Sequence, residues 1–434
     1  MPKVDYAGHT RSSISRVAFA ISVLLLLTKA SFAEPPANTV QPTKTPVTPG
    51  LPAVAPTQIL AKATTTLIQT FDDLLKDPVR YDAQAIRECG LFPEGRLYPF
   101  AIPALGYANL ALSGKANKTY CILQMRKLID LMLPHVVQNV AAPNGRLEEI
   151  RSYGKHGTWL STLNLVLTCY AMLSDDGRYN DIHATVSQVL YDALQEANGG
   201  PIASYPTYTW NFDTIMALAS LWYDTDPNVA AGSRPLLRQH LAWREQHAKH
   251  GPTGLTESFR GEMPRGCDVS MQICLLAQMD YAYTKSMYAK YTRSHWVDLG
   301  FAAGFSEWPR GSVAPIAADV DSGPVLFGIG ATATGIGVGA AIAMNDEMRL
   351  QRLVSELPLV PMAIGMLKQV GLASPPMAWF QGLSALNDRY ITGFLYGDCM
   401  MLYALTWTPY SNIPPMGEQS GAGYPPQGVG SPDP

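Results

Sequence analysis

The feature that most constrains this chain is an unbroken succession of about twelve segments with helical period, in which two kinds alternate. Segments such as Trp210–Asp224 and Pro324–Met344 are apolar almost all round, whereas a neighbour such as Arg234–Lys249 carries charges on one face. A helix that is apolar on every side has to be surrounded, and one with a charged face has to meet water. Two such populations in alternation predict concentric rings: an all-α (α/α)6 toroid or barrel of about twelve helices, a single domain with a central cavity. The expected helices run near Gln58–Lys76, Pro99–Ser113, Lys118–Leu133, Thr158–Leu173, Asn180–Ala197, Trp210–Asp224, Arg234–Lys249, Cys267–Thr284, Ser286–Gly304, Pro324–Met344, Glu347–Lys368 and Phe394–Leu405. No strand-rich block alternates with them, which disfavours a parallel sheet.

Both ends read differently. Lys3, Arg11 and Arg16 precede an apolar run from Val17 to Leu27, and Ser31-Phe32-Ala33 offers small residues of the kind a signal peptidase reads, so residues 1–33 are expected to be an export signal cleaved after Ala33. An uncleaved anchor is the rival, but the run is shorter than the roughly twenty residues of a membrane span. With Lys3, Arg11, Arg16, Lys29 and Asp5 removed, 32 basic and 35 acidic residues become 28 and 34, a formal charge of −6. A mildly acidic chain lacks the basic surplus that nucleic-acid binding needs. Residues 34–57 are rich in Pro and Thr and read as a linker, and 411–434 as a Pro/Gly-rich disordered tail, leaving 58–410 as the folded part. The charge-free stretch Gly323–Asn345 is long enough to cross a bilayer, yet acids flank it on both sides, so it reads as an inner helix and no membrane span is expected.

Several local patterns carry chemistry. Six cysteines could pair in an oxidising compartment, but they are too few in 434 residues to make a disulfide scaffold. His240 and His247 could share a helix face, with His250 near by, but no matching Cys, Asp or Glu makes a metal set, and none is expected. Gly328-Ile329-Gly330-Ala331-Thr332-Ala333 matches a phosphate-binding pattern without the βαβ context that would give it meaning, and no cofactor is read from it. Tyr205, Tyr208, Trp210 and Phe212 crowd around Asp213, and a carboxyl among aromatic rings is costly to ionise, which suits a general acid. The plainer alternative is a helix cap or a partner for a buried arginine. In Asp319-Val320-Asp321-Ser322-Gly323-Pro324, Ser322 is expected to cap the following helix and Asp321 to stay ionised beside its positive end, as a base; both aspartates have a purely bracing alternative. Arg265-Gly266-Cys267-Asp268 starts another inner helix, where a thiol is either activated or an inert core or disulfide residue. His156, in a polar loop before the helix of Trp159, could reach a cavity mouth or lie in solvent.

Three stretches together resemble the linalool dehydratase-isomerase family. They are Leu163-Asn164-Leu165 through Tyr170 to Gly177-Arg178-Tyr179; Pro201-Ile202-Ala203-Ser204-Tyr205-Pro206 through to Ser220-Leu221-Trp222-Tyr223-Asp224; and Asp319-Val320-Asp321-Ser322-Gly323. With the helix rhythm they span about residues 98–370. The resemblance implies an exported α/α toroid that removes water from, and rearranges, small terpene alcohols. The family's pair of cysteines falls on Ser204 and Asp213 here, and a family histidine on Thr162, so the resemblance carries over a location, the ends of inner helices at the cavity, and not the thiol chemistry.

The expected function is therefore that of an exported enzyme, periplasmic or extracellular, that dehydrates or isomerises a small, mostly apolar alcohol. Asp213, Asp321 and Cys267 are the candidate catalytic residues, and Ser204, Tyr208, Trp210, His156, Asp268 and Asp319 the candidate substrate contacts. Asp213 would protonate the leaving hydroxyl, Asp321 take a proton from the adjacent carbon, and Tyr208 and Trp210 shelter positive charge. A glycan-active hydrolase or lyase would use paired carboxylates and aromatic rings equally well, and a non-catalytic cell-envelope binding protein would need neither. A homo-oligomer is compatible with all three.

Overall fold

The computed structural model describes residues 56–90, 92–259, 261–312, 322–323, 325–326, 328–359 and 389–410. The chain is all-α. Thirteen α-helices lie among the described residues: α1 (Pro56–Leu74), α2 (Pro78–Cys89), α3 (Tyr98–Leu112), α4 (Lys118–Asn139), α5 (Gly157–Leu173), α6 (Asn180–Glu196), α7 (Asn211–Trp222), α8 (Pro227–His247), α9 (Gly266–Leu276), α10 (Tyr281–His295), α11 (Ala331–Ala343), α12 (Glu347–Glu356) and α13 (Leu395–Thr406). Two short antiparallel hairpins, β1 (Trp296–Asp298) with β2 (Ala303–Phe305) and β3 (Val325–Leu326) with β4 (Ile329–Gly330), precede α11.

The packing follows the alternation in the sequence. Helices α3, α5, α7, α9, α11 and α13 touch one another in a closed cycle, α13 returning to α3. These are the helices buried along almost their whole length, among them every residue of α5 from Gly157 to Tyr170. Outside the cycle, α4 packs on α3, α6 on α5, α8 on α7, α10 on α9, α12 on α11 and α1 on α13. The outer helices bury only a stripe, as α6 does through Val186, Leu190 and Leu194.

The two sets also begin differently. Asn117, Asp226, Asp280 and Asp346 cap the outer helices α4, α8, α10 and α12, each side chain accepting a backbone N–H of the first turn. The inner helices have no side-chain cap. In three of them the first N–H groups instead go to carbonyls of the loop that leads into the next inner helix: Gly157 to Ala203 and Thr158 to Ser204 for α5, Asn211 to Ser258 for α7, and Gly266 to Glu307 for α9, at 2.8–3.3 Å. This arrangement ties α5, α7 and α9 each to the loop before the next inner helix. The opposite end is filled by the segment after α13, where Trp407 Nε1 donates to the Cys274 carbonyl (2.9 Å) and the Tyr410 N–H to Gln278 Oε1 (2.9 Å).

Glycines set the spacing of the cycle. A Cβ on Gly106 would meet Leu402 Cγ at 2.8 Å, which brings α3 against α13, and one on Gly339 would meet Cys274 Sγ and Ala404 Cα at 3.1 Å, which seats α11 between α9 and α13.

The structure differs from the sequence expectation in a few elements. Cys267–Thr284 is two helices, because Asp280 turns the chain and its carboxylate accepts the Tyr283 N–H (2.9 Å) to start α10. The helix expected to run on to Gly304 stops at His295 and becomes the β1–β2 hairpin. Val325–Leu326 pairs with Ile329–Gly330, with Gly328 at φ 82°, so α11 begins at Ala331 and Ser322 is not its side-chain cap; the Ser322 carbonyl accepts from the Thr332 N–H (3.2 Å) instead. Helix α2 was unexpected, though Asp77-Pro78 is an ordinary start signal. Among the described residues no helix is long and apolar enough to cross a membrane. The export signal, the linker up to residue 55, the tail from residue 411 and the Glu347–Lys368 helix beyond Leu359 lie outside the described residues.

Candidate active site

The N-terminal ends of the inner helices converge on a cavity of about 280 Å³. Phe92, Tyr98 and Tyr396 form one wall, with Tyr396 edge-on to Phe92 (ring centroids 5.5 Å) and stacked on Tyr98 (6.2 Å). Phe212, Met271, Ile336 and Met400 complete the apolar lining, and Glu94, Asp213, Arg265, Cys267, Asp268 and Thr332 supply its polar groups.

Asp213 stands in the first turn of α7 and is 2% exposed. Thr158, at the start of α5, donates its hydroxyl to Asp213 Oδ2 (2.7 Å), while Oδ1 has no hydrogen-bond partner among the described residues. Burial pushes the carboxyl up to about 7; the Ser204 and Thr158 hydroxyls offset part of the rise, and the charges of Glu94 and Asp268 add to it. A carboxyl in that range holds a proton near neutrality and can give it up, which is the property of a general acid.

Glu94 sits on a short 3-10 turn, Pro93–Arg96, and accepts the Tyr205 hydroxyl. Glu94 is half-buried and Asp213 fully buried, so the two carboxyls face one cavity from unlike surroundings. Asp268, in the first turn of α9, accepts from Gln272 Nε2 through Oδ1 (2.8 Å), and its Oδ2 is partnerless among the described residues. Gln272 Oε1 in turn accepts from the fully buried Arg244, whose Nε donates to Thr256 Oγ1 (2.9 Å). Burial raises the Asp268 carboxyl, against the pull of Gln272, Ser258, Arg244 and Arg265.

A third group surrounds Cys267. Its thiol donates to Glu307 Oε1 (3.0 Å) and its N–H to Glu307 Oε2 (3.2 Å), and the Arg265 Nε holds the same carboxylate (2.8 Å) in a buried ion pair. Arg265 also lies over the Trp210 ring, 5.5 Å from its centroid.

Of the residues singled out in the sequence, the structure brings Asp213, Trp210, Cys267 and Asp268 to the cavity. Ser204 is buried and outside the lining; its hydroxyl accepts the Trp210 N–H (2.7 Å) and so braces the loop before α7. Tyr208 is 55% exposed and tilts against Phe259 away from the lining, because the Tyr205–Tyr208 turn carries it outward; it cannot shelter charge in the cavity. Trp210 lines the cavity, but the cation over its ring is Arg265. His156 occupies the N-cap position of α5, half-buried and outside the lining, and desolvation lowers its pKa. Asp319 and Asp321 lie outside the described residues. The six cysteines are free thiols, Cys267 being half-buried and the other five buried. His240, His247 and His250 bond separately, to the Gly199 and Trp243 carbonyls and the Thr253 hydroxyl, and among the described residues no cluster of His, Cys, Asp and Glu could hold a metal ion. Glu94, Glu307 and Thr158 are not singled out by the sequence reading; Glu94 precedes α3 by four residues, as Asp213 and Cys267 begin their own inner helices, and that shared position is the signal for Glu94, whereas Glu307 has none in its neighbourhood.

No protein-family model matches the chain, and no curated protein matches it either.

Proposed function

We propose that the chain is an exported α/α-toroid enzyme that removes water from, or rearranges, a small and mostly apolar alcohol. The closed cycle of six buried helices, each backed by an outer one, supports the toroid. The observation that carries the chemistry is a single one: a buried carboxyl with one oxygen unpartnered among the described residues, on the wall of a small, largely aromatic and aliphatic cavity. At about 280 Å³ the cavity lies at the bottom of the range of ligand pockets, roughly 300–1,000 Å³, which favours one small guest.

Asp213 protonates the guest's hydroxyl, so that it leaves as water. Glu94, held by the Tyr205 hydroxyl, takes a proton from the adjacent carbon. The faces of Phe92, Tyr98 and Tyr396 stand where positive charge develops, and a ring face stabilises a cation by about 0.5–2 kcal/mol. Asp268, braced by Gln272, accepts the hydroxyl and orients it. A sugar ring would want polar partners around its rim, and this lining offers mainly hydrocarbon, so the glycan reading is the weaker one.

The test is turnover of tertiary alcohols by the purified chain. Asp213→Asn, which keeps the shape and the Thr158 bond, is expected to lower kcat by about 10²–10⁴-fold. The parent's rate is expected to fall as pH rises through about 7, where Asp213 loses its proton. Full activity in the Asn variant would remove the acid role.

A further inference from the structure

The thiol of Cys267 is not used in the reaction above, and its surroundings are those of a nucleophile. Three observations bear on it. Cys267 opens α9 and lines the cavity. Its Sγ–H points at Glu307 Oε1 (3.0 Å), and Arg265 fixes that carboxylate through Nε (2.8 Å), giving the order nucleophile, base, orienting group. Asp213, 2% exposed, presents on the wall of the same cavity an oxygen with no partner among the described residues, a polar group open to a guest.

We propose that Cys267 is a site of covalent capture for small α,β-unsaturated ketones and aldehydes held in the cavity. The carbonyl oxygen accepts a hydrogen bond from protonated Asp213, which leaves the β-carbon as the electrophilic end. The Cys267 proton passes to Glu307 as the sulfur lone pair forms the S–C bond. The C=C electron pair moves to the carbonyl as an enolate, and Asp213 supplies the proton that completes the C–H bond. In sum S–H adds across C=C, nothing is oxidised or reduced, and exchange with water returns both carboxyls to their starting states. The apolar walls select the hydrocarbon part of such a guest, and the five other cysteines, buried away from the lining, do not compete. This activity does not depend on alcohol dehydration; it requires only the thiol, its base and the acid on one wall.

The full-length protein is treated with 2-cyclohexen-1-one, and the adduct is followed by intact mass and located by peptide mapping. A single adduct on Cys267 is expected, forming at least about tenfold faster than on glutathione at the same pH and slowed at least about tenfold by Glu307→Gln. Asp213→Asn should slow the enone by a larger factor than it slows alkylation by iodoacetamide, which needs no acid. Glu307 is buried and its replacement could unfold the chain, so a second measurement uses the parent alone: cyclohexanone, which fills the cavity without reacting, should slow labelling competitively. Modification of another cysteine, a Cys267 rate no greater than glutathione's, or indifference to cyclohexanone would each overturn the proposal. A chain that captures the enone but leaves tertiary alcohols untouched keeps this activity and loses the dehydration reading.

Discussion

Asp213 illustrates how one carboxyl couples stability to pH. Its pKa in the folded chain, about 7, stands above the ordinary aspartate value of 3.8, so folding favours the protonated form. The stabilisation is fully present below the unfolded value and is lost as pH rises towards 7; at about 1.4 kcal/mol per pH unit the loss is of the order of 4 kcal/mol. Asp213→Asn has no proton to lose there, so its stability relative to the parent should improve by a few kcal/mol between pH 4 and pH 8. Urea unfolding at the two pH values measures this, and parallel curves for the two chains would show that the carboxyl is not desolvated. This residue was legible in the sequence because Tyr205, Trp210 and Phe212 lie within eight positions of it and announce an apolar setting. Tyr208 belongs to the same run and was misread, since a turn of four residues reverses direction and the sequence does not show which ring ends up outside. Glu307 was illegible for a different reason: its role comes from Arg265 and Cys267, forty residues away.

At the level of elements, helical period and polarity located most of the helices, because burial on all sides or on one leaves its mark in every turn. The breaks were harder. Asp280 ends one helix and starts another through a single side-chain bond, and the hairpins at 296–305 and 325–330 are too short to display a period of two. The capping of inner helices by the next loop's carbonyls could not be foreseen, since it uses only backbone. It can be tested at Gly266, where an added Cβ would lie 2.1 Å from the Ser306 carbonyl oxygen. Gly266→Ala must push α9 off that loop, and overpacking against backbone should cost about 3 kcal/mol. A lower urea midpoint is expected; an unchanged one would mean that the loop yields freely.

For the whole molecule, the decisive contact is the one between α3 and α13, the first and last members of the cycle, where Gly106 admits Leu402. Ending the chain at residue 390 removes α13 and the Trp407–Tyr410 segment, leaving α3 and α11 each with an uncovered inner face. The shortened chain should keep much of its far-ultraviolet helix signal and lose its cooperative heat-absorption peak, the behaviour of helices without fixed packing. A sharp calorimetric transition in that chain would show that five inner helices suffice. The same seam has a consequence for biosynthesis. Contacts between helices so far apart along the chain form late, and a nascent polypeptide can close the cycle of inner helices only once α13 has emerged. Until then a long greasy inner wall stands bare, and the cell must shield it from other unfinished chains.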